Sequence, residues 1–290
     1  MDLLEQINAW AAEIRGPRFL FVAALATLAM FVLMRRREEF SRHAIQNIAA
    51  TIMVYVMNIG ATLLFMADLK RLSHEGYAAL NIPTLPADFW QGPWVIVGMI
   101  LAIAMKDFCD YVSHRIMHTR LGWPSHAAHH SDTDVNAFTT FRVHTFEAFL
   151  MSLTYLVILT WMQLPELLPI LIVLHICHNI YVHLNLDWDH GPLKYLIASP
   201  RFHRWHHADL PEAYGKNLAN LIPAYDVIFG TYYVPGPCRA PMGALKSGID
   251  DKNPVRIWLY PFQAWGGMLW QALRGRRDAT PAERPVSPAE

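Results

Sequence analysis

Apolar positions along the chain fall into uninterrupted blocks rather than into the alternating pattern of a half-buried sheet. The run FLFVAALATLAMFVLM at 19–34 has no charge and ends on Arg35, Arg36 and Arg37, slightly short of the ~20 residues of a spanning helix. A second block, 44–67, is longer and carries Asn47 and Asn58, whose amides need partners inside an apolar helix. PWVIVGMILAIAM at 93–105 is shorter, and by length alone is a span, a core helix or a re-entrant helix. The blocks 148–162 and 167–182 flank the break QLPE and predict a helical membrane hairpin. Ahead of all these, Leu3, Ile7, Trp10 and Ile14 share one helical face, which suits a surface helix at the membrane interface or docked on the rest of the protein. The acidic first residues, with no apolar stretch at once, do not read as a signal peptide.

With the N-terminus outside, five crossings leave the segments after 35, after 106 and after 183 on one side. The short loops agree, Arg35, Arg36, Arg37 and Arg42 facing one way and Lys70 and Arg71 the other, which makes the first side cytoplasmic. Farther on, IWLYPFQAWGGMLWQAL at 257–273 sets three tryptophans and a tyrosine around a proline and a glycine pair, as an interfacial segment would. The tail RGRRDATPAERPVSPAE has little to bury and reads as disordered. The expected fold is an all-α membrane protein of about four to five transmembrane or re-entrant helices under a cytoplasmic helical cap. It divides into an N-terminal interfacial helix with membrane helices (1–105), a central segment that includes the hairpin 148–182 (106–233) and a C-terminal interfacial segment with its tail (234–290).

Composition agrees: 53% of residues are hydrophobic and mean hydropathy is +0.18, toward the membrane class. The 24 basic and 24 acidic residues cancel, so no overall field holds nucleic acid. Cys109, Cys177 and Cys238 are odd in number and widely spaced, which fits neither a disulfide framework nor a zinc ribbon.

The histidines change the picture from a membrane protein to a metal protein. There are 15, and the pattern H-x-x-H-H occurs twice, as HAAHH at 126–130 and HRWHH at 203–207, where chance would give on the order of 0.04 copies. His114 and His118 in HRIMH are four apart and face one way on a helix. In each H-x-x-H-H the first two rings fall on one face and the third is displaced by about 100°, so one short segment can serve two neighbouring ions. Eight rings exceed the four that a tetrahedral zinc takes, and two ions are the economical solution. Imidazole suits zinc, copper, iron and nickel alike. A zinc hydrolase keeps a carboxylate base beside its ligands, as in H-E-x-x-H, and these clusters hold no glutamate. A redox metal that activates oxygen suits an oily substrate better, because a lipid chain offers no polar handle near the reacting carbon.

The order HRIMH, HAAHH, HRWHH, with DFCDYVSHRIMH, FRVHTFE, VHLN and KNLANLIPAYDVIFGTYY around it, resembles the fatty acid hydroxylase and sterol desaturase superfamily from about Asp107 to Thr231. Members are integral membrane di-iron oxygenases. The resemblance implies two non-haem iron ions and O2, with two electrons from a separate cytochrome b5-like or ferredoxin-like donor. It implies hydroxylation or desaturation of a lipid in a bacterial inner membrane or the endoplasmic reticulum. It assigns the metals to His114, His118, His126, His129, His130, His203, His206 and His207, and matches His183 to a further family histidine. His178, five before His183 where some relatives have a histidine four before, stays open between ligand, supporting donor and core residue; His175 is a weaker candidate. His144 is expected to support the site without ligating, and Asp107, Asp110 and Asp226 to accept ring N–H groups, with an ion pair to Arg115 or an N–H cap as the alternative for Asp110. His43, His74 and His190 read as solvated. Sterol, acyl chain, ether lipid, carotenoid and aminolipid headgroup all remain open as substrate. A histidine-rich metal-binding or transport protein without catalysis is the other class. It would line the bundle midplane with its rings, whereas eight of the nine candidate ligands fall outside the apolar runs.

Overall fold

The computed structural model describes residues 49–54, 56, 71–86, 88–90, 92–164 and 168–274. The surface helix expected at the N-terminus, the block 19–34, most of 44–67 and the tail from 275 lie outside the described residues. Among those described the chain is helical without strands, apart from one isolated bridge between Ala208 and Met242.

Helix α1, Trp94–Met117, is 24 residues long. The apolar block at 93–105 does not stop at its first charge, because no proline or glycine lies between Lys106 and Met117. Its buried positions, Val95, Gly98, Ala102, Lys106, Asp110, Ser113 and Met117, recur at three or four residues, the spacing of one helical face. Trp94, Ile96, Val97, Ile100 and Leu101 on other faces are exposed and apolar, as on a helix that meets lipid. Gly98 lets Trp90 and Leu164 approach: a Cβ there would lie 2.9 Å from the Trp90 ring and 3.0 Å from Leu164.

The turn into α2, Trp123–His130, needs a glycine for a harder reason. A Cβ on Gly122 would sit 2.1 Å from the Ile116 carbonyl oxygen, so the HRIMH and HAAHH segments are folded onto each other through a corner that no side chain can enter. Pro124 then occupies the first turn of α2, where its missing N–H costs nothing.

Asn136 caps a 3-10 turn, Ala137–Phe141, and its own backbone N–H donates in return to Thr139 Oγ1. Helix α3, Thr145–Met162, starts on His144, whose ring accepts from Phe146 N, and ends on Gln163 in the left-handed region at φ 58. Helix α4, Leu168–Val182, follows directly, the two-helix reading of 148–182. Trp90, Val95, Ala102, Ile158, Leu159, Met162, Leu164 and Leu171 form one apolar core across α1, α3 and α4. Among the described residues one helix is long and apolar enough to cross a membrane, α3, with 18 residues at mean hydropathy 1.5.

Beyond α4 come α5, Pro200–His206, capped by Ser199, the short α6, Ala224–Ile228, and α7, Pro254–Leu273, capped by Asn253. The stretch anticipated as an interfacial segment around Pro261 is one 20-residue helix with that proline inside. One side of α7 packs through Ile257 against Trp123, Ala127 and Ala128 of α2, and Trp265 Nε1 donates to Leu121 O at 2.8 Å. Phe262, Leu269, Trp270 and Leu273 remain exposed.

Candidate metal centre

The ends of α1 and α4 and the whole of α2 and α5 meet at one place, and they bring all nine candidate histidines with them. Five rings, His114, His118, His126, His130 and His206, form one group, and His129, His183, His203 and His207 form another; within each group the ligating atoms lie within 4.8 Å of one another. The groups adjoin, with ring centroids 4.5 Å apart for His130 and His207 and 5.2 Å for His126 and His129. His175 and His178 belong to neither.

The division corrects one expectation. The first two histidines of each H-x-x-H-H were expected to share a face. Instead His126 pairs with His130, and His203 with His207, while His129 and His206 cross to the other group. A four-residue step turns a helix through 400°, leaving rings about 40° apart, against about 60° for three residues. Every four-apart pair, His114 and His118 included, therefore serves one group.

The tautomers can be read from the outward nitrogens. His114 Nδ1 is 2.7 Å from Leu218 O, His183 Nδ1 is 2.7 Å from Asn179 O, and His206 Nδ1 is 2.9 Å from Lys216 O. A carbonyl only accepts, so each Nδ1 carries the proton and each Nε2 presents a lone pair inward. Burial pushes all nine rings below their ordinary titration, His114 and His183 to about 4, and they are neutral at pH 7. Yet inward nitrogens sit at 2.9 Å for His114 and His126, 3.1 Å for His126 and His130, 2.9 Å for His183 and His203, and 3.2 Å for His203 and His207. His206 Nε2 is buried with no hydrogen-bond partner. His114 and His183 present lone pairs at these contacts, and a cation between the nitrogens would let the facing rings present theirs as well. Two nitrogens each about 2.1 Å from one ion stand roughly 3.0–3.4 Å apart, which is close to the spacing found. The donor set fits two metal ions.

The carboxylates expected to take ring N–H groups do something else. Asp226 accepts from Leu218 N at 2.7 Å, Ala219 N at 2.8 Å and Thr231 Oγ1 at 2.6 Å. Asp107 accepts from Leu221 N at 2.8 Å and Ile222 N at 2.7 Å. Together with the Asn217 side chain, bonded to Phe202 O and to Tyr233 N and O, they fix the loop whose carbonyls hold His114 and His206. Their action on the rings runs through this loop, because backbone carbonyls already occupy the outward nitrogens. Asp110 pairs with Lys106, not Arg115, and takes the Thr154 hydroxyl at 3.1 Å. His178 Nε2 lies 3.1 Å from Asn220 O, and His144 caps α3 while Trp258 O accepts from its Nε2 at 3.1 Å. Neither touches a ligand ring. His190 is held by Tyr181 and by Ile197 O, and His74 is exposed.

Glu147 was not singled out from the sequence. Its Oε1 lies 3.0 Å from His126 Nδ1, with both side chains buried. The available signal was a lone acidic residue in the otherwise uncharged stretch 143–163.

Residues 99–231 match the family model described as fatty acid hydroxylase. Those residues, just under half of the chain, carry the fatty acid hydroxylase domain. All nine candidate histidines lie within the matched residues. Among similar curated proteins, the alkylglycerol monooxygenase of Homo sapiens is 25% identical over 91% of this chain and 52% of its own. The ornithine lipid hydroxylase of Rhizobium tropici is 30% identical over 51% of this chain and 45% of its own. The Delta(7)-sterol 5(6)-desaturase of Gibberella zeae is 26% identical over 73% and 59%. The chain thus spans about half the length of the first curated relatives it matches. No solved structure matches.

Proposed function

We propose that this fatty acid hydroxylase domain is a membrane-bound di-iron oxygenase that hydroxylates or desaturates a lipid, using O2 and two electrons from a separate donor protein. The observation that carries the reading is the convergence of nine imidazoles, their ligating nitrogens close together, in two adjoining groups. Imidazole alone does not choose the metal; iron is favoured by the lipid-oxidising names of the relatives.

His114, His118, His126, His130 and His206 would hold one ion and His129, His183, His203 and His207 the other. Bound iron would supply the activation of O2 needed to attack an unactivated C–H bond. The protein's part is positioning and exclusion. Neutral ligands leave the ions their full charge, and burial keeps bulk water from the rings. A small cavity of about 20 Å³, bordered by His118, His130, His206 and Tyr214, has room for about one water-sized molecule beside the five-ring group. A larger one, about 280 Å³, lies between α1 and α4, with Ile103, Leu171, Leu174 and Leu221 on its apolar wall and Lys106, Asp107, His175, His178 and Asn220 on its polar one. It is our candidate for the lipid chain. Multi-pass insertion with the histidines on the cytoplasmic face belongs to the same proposal.

The test is lipid mass spectrometry on cells expressing the chain or His206→Ala under 18O2. A lipid that gains one labelled oxygen, or loses two hydrogens, only with the intact histidine identifies substrate and reaction together. Identical lipid profiles, with purified protein that carries iron but consumes no O2 when given reductant and a total lipid extract, would leave a metal-binding protein without this chemistry.

A further inference from the structure

A buried carboxylate needs a reason. Glu147 sits in the first turn of α3, where the helix dipole favours a negative charge far less than desolvation penalises it. Its side chain is 8% exposed, and Oε1 is 3.0 Å from Nδ1 of His126, itself 3% exposed. Oε2 is buried with no hydrogen-bond partner. On the far side of the same ring, His126 Nε2 faces His114 Nε2 at 2.9 Å and His130 Nε2 at 3.1 Å. The imidazole is thus a bridge, with a carboxylate at one nitrogen and the five-ring group at the other. The Nδ1 contact has the separation of a hydrogen bond without an aligned N–H, so it is free to tighten.

We infer that Glu147 is a positioning residue for the metal in the five-histidine group. Its carboxylate takes the Nδ1–H of His126, fixes Nε2 as the ligating atom, and brings negative charge to a site whose nine ligands bring none. This rests on the metal reading above. The arrangement strengthens the ring as a donor, since a histidine whose N–H is held by an anion is more basic toward a metal. It also makes the two groups unequal: one ion is backed by an anion through His126, while the His183 ring of the other group is backed by the neutral Asn179 carbonyl.

The experiment uses the full chain in detergent micelles as wild type, Glu147→Gln and Glu147→Ala. Each is titrated anaerobically with Fe(II) against a competing chelator, iron per chain is counted by mass spectrometry, and the iron-free forms are melted. The inference expects two irons per wild-type chain and a loss of affinity of about 10–100-fold for one of the two in Glu147→Ala. Glu147→Gln, which keeps an acceptor oxygen but no charge, should lose less. The iron-free Gln variant should melt no lower than wild type, because the amide has the shape of the carboxyl group and keeps its acceptor oxygen. With Co(II) as probe, the absorption of one ion should shift and that of the other stay. Two irons bound at wild-type affinity in Glu147→Ala overturn the inference while leaving the metal reading intact. So does a loss that merely follows a lowered melting temperature equally in both variants. A wild-type chain that takes up no iron overturns the metal reading and the role of Glu147 with it.

Discussion

Asp226→Ala isolates the loop that aims two of the ligands. The wild-type carboxylate is fully buried and accepts from Leu218 N, Ala219 N and Thr231 Oγ1 at 2.6–2.8 Å. Alanine leaves two buried backbone N–H groups without an acceptor, at about 1–3 kcal/mol each, and the Thr231 hydroxyl keeps Tyr111 OH at 2.9 Å as an alternative. The expected destabilisation is therefore about 2–6 kcal/mol, a fall in melting temperature of roughly 5–15 °C. Leu218 also supplies the carbonyl that holds His114, so the slackened loop should lower iron occupancy. Asp226→Asn keeps one acceptor oxygen and should fall between the two. The assay is a melting curve of detergent-solubilised protein read by size-exclusion fluorescence, with iron counted on the folded fraction. An Asp226→Ala chain that melts within about 2 °C of wild type with full iron would refute the argument that this carboxylate organises the loop.

His178→Ala should keep the wild-type number of metal ions, since the ring bonds to Asn220 O outside both groups; loss of one ion, counted by mass spectrometry, would make it a ligand after all. Gly122→Ala puts a methyl 2.1 Å from a backbone oxygen, and should cost at least the ~1–3 kcal/mol of an overpacked site, seen as a lowered melting temperature and metal content together. The iron-free protein should lose stability as pH falls from about 6.5 toward 4. The His114 and His183 rings titrate at about 4 when folded against an ordinary 6.5, so across that window the unfolded chain binds the extra protons. Each ring then removes about 1.4 kcal/mol per pH unit. Denaturant midpoints measured at pH 7, 6 and 5 check this, and a flat profile would mean that these rings are not held neutral by burial.

What was legible in the sequence, and what was not, follows from the range of the interactions involved. The histidine clusters could be read because ligands three to five residues apart are local, and their direction is set by helix geometry before any tertiary contact forms. The sequence pairs the first two rings of each H-x-x-H-H because a stripe on a helix averages over three- and four-residue steps, whereas the observed grouping distinguishes 40° from 60°. Length misled at 93–105: charge was taken as the end of the apolar block, yet Lys106 and Asp110 satisfy each other one turn apart on the buried face and α1 continues to Met117. Asp107 and Asp226 were picked out for the right neighbourhood and the wrong partner. Their acceptors' work is on backbone N–H groups of a loop more than 100 residues from Asp107, and such pairings leave no periodic trace. The same holds for Leu218 and Lys216, whose side chains say nothing about their carbonyls. A metal site thus announces its ligands through side-chain chemistry, while much of what orients them is main chain and becomes visible only when the fold is known.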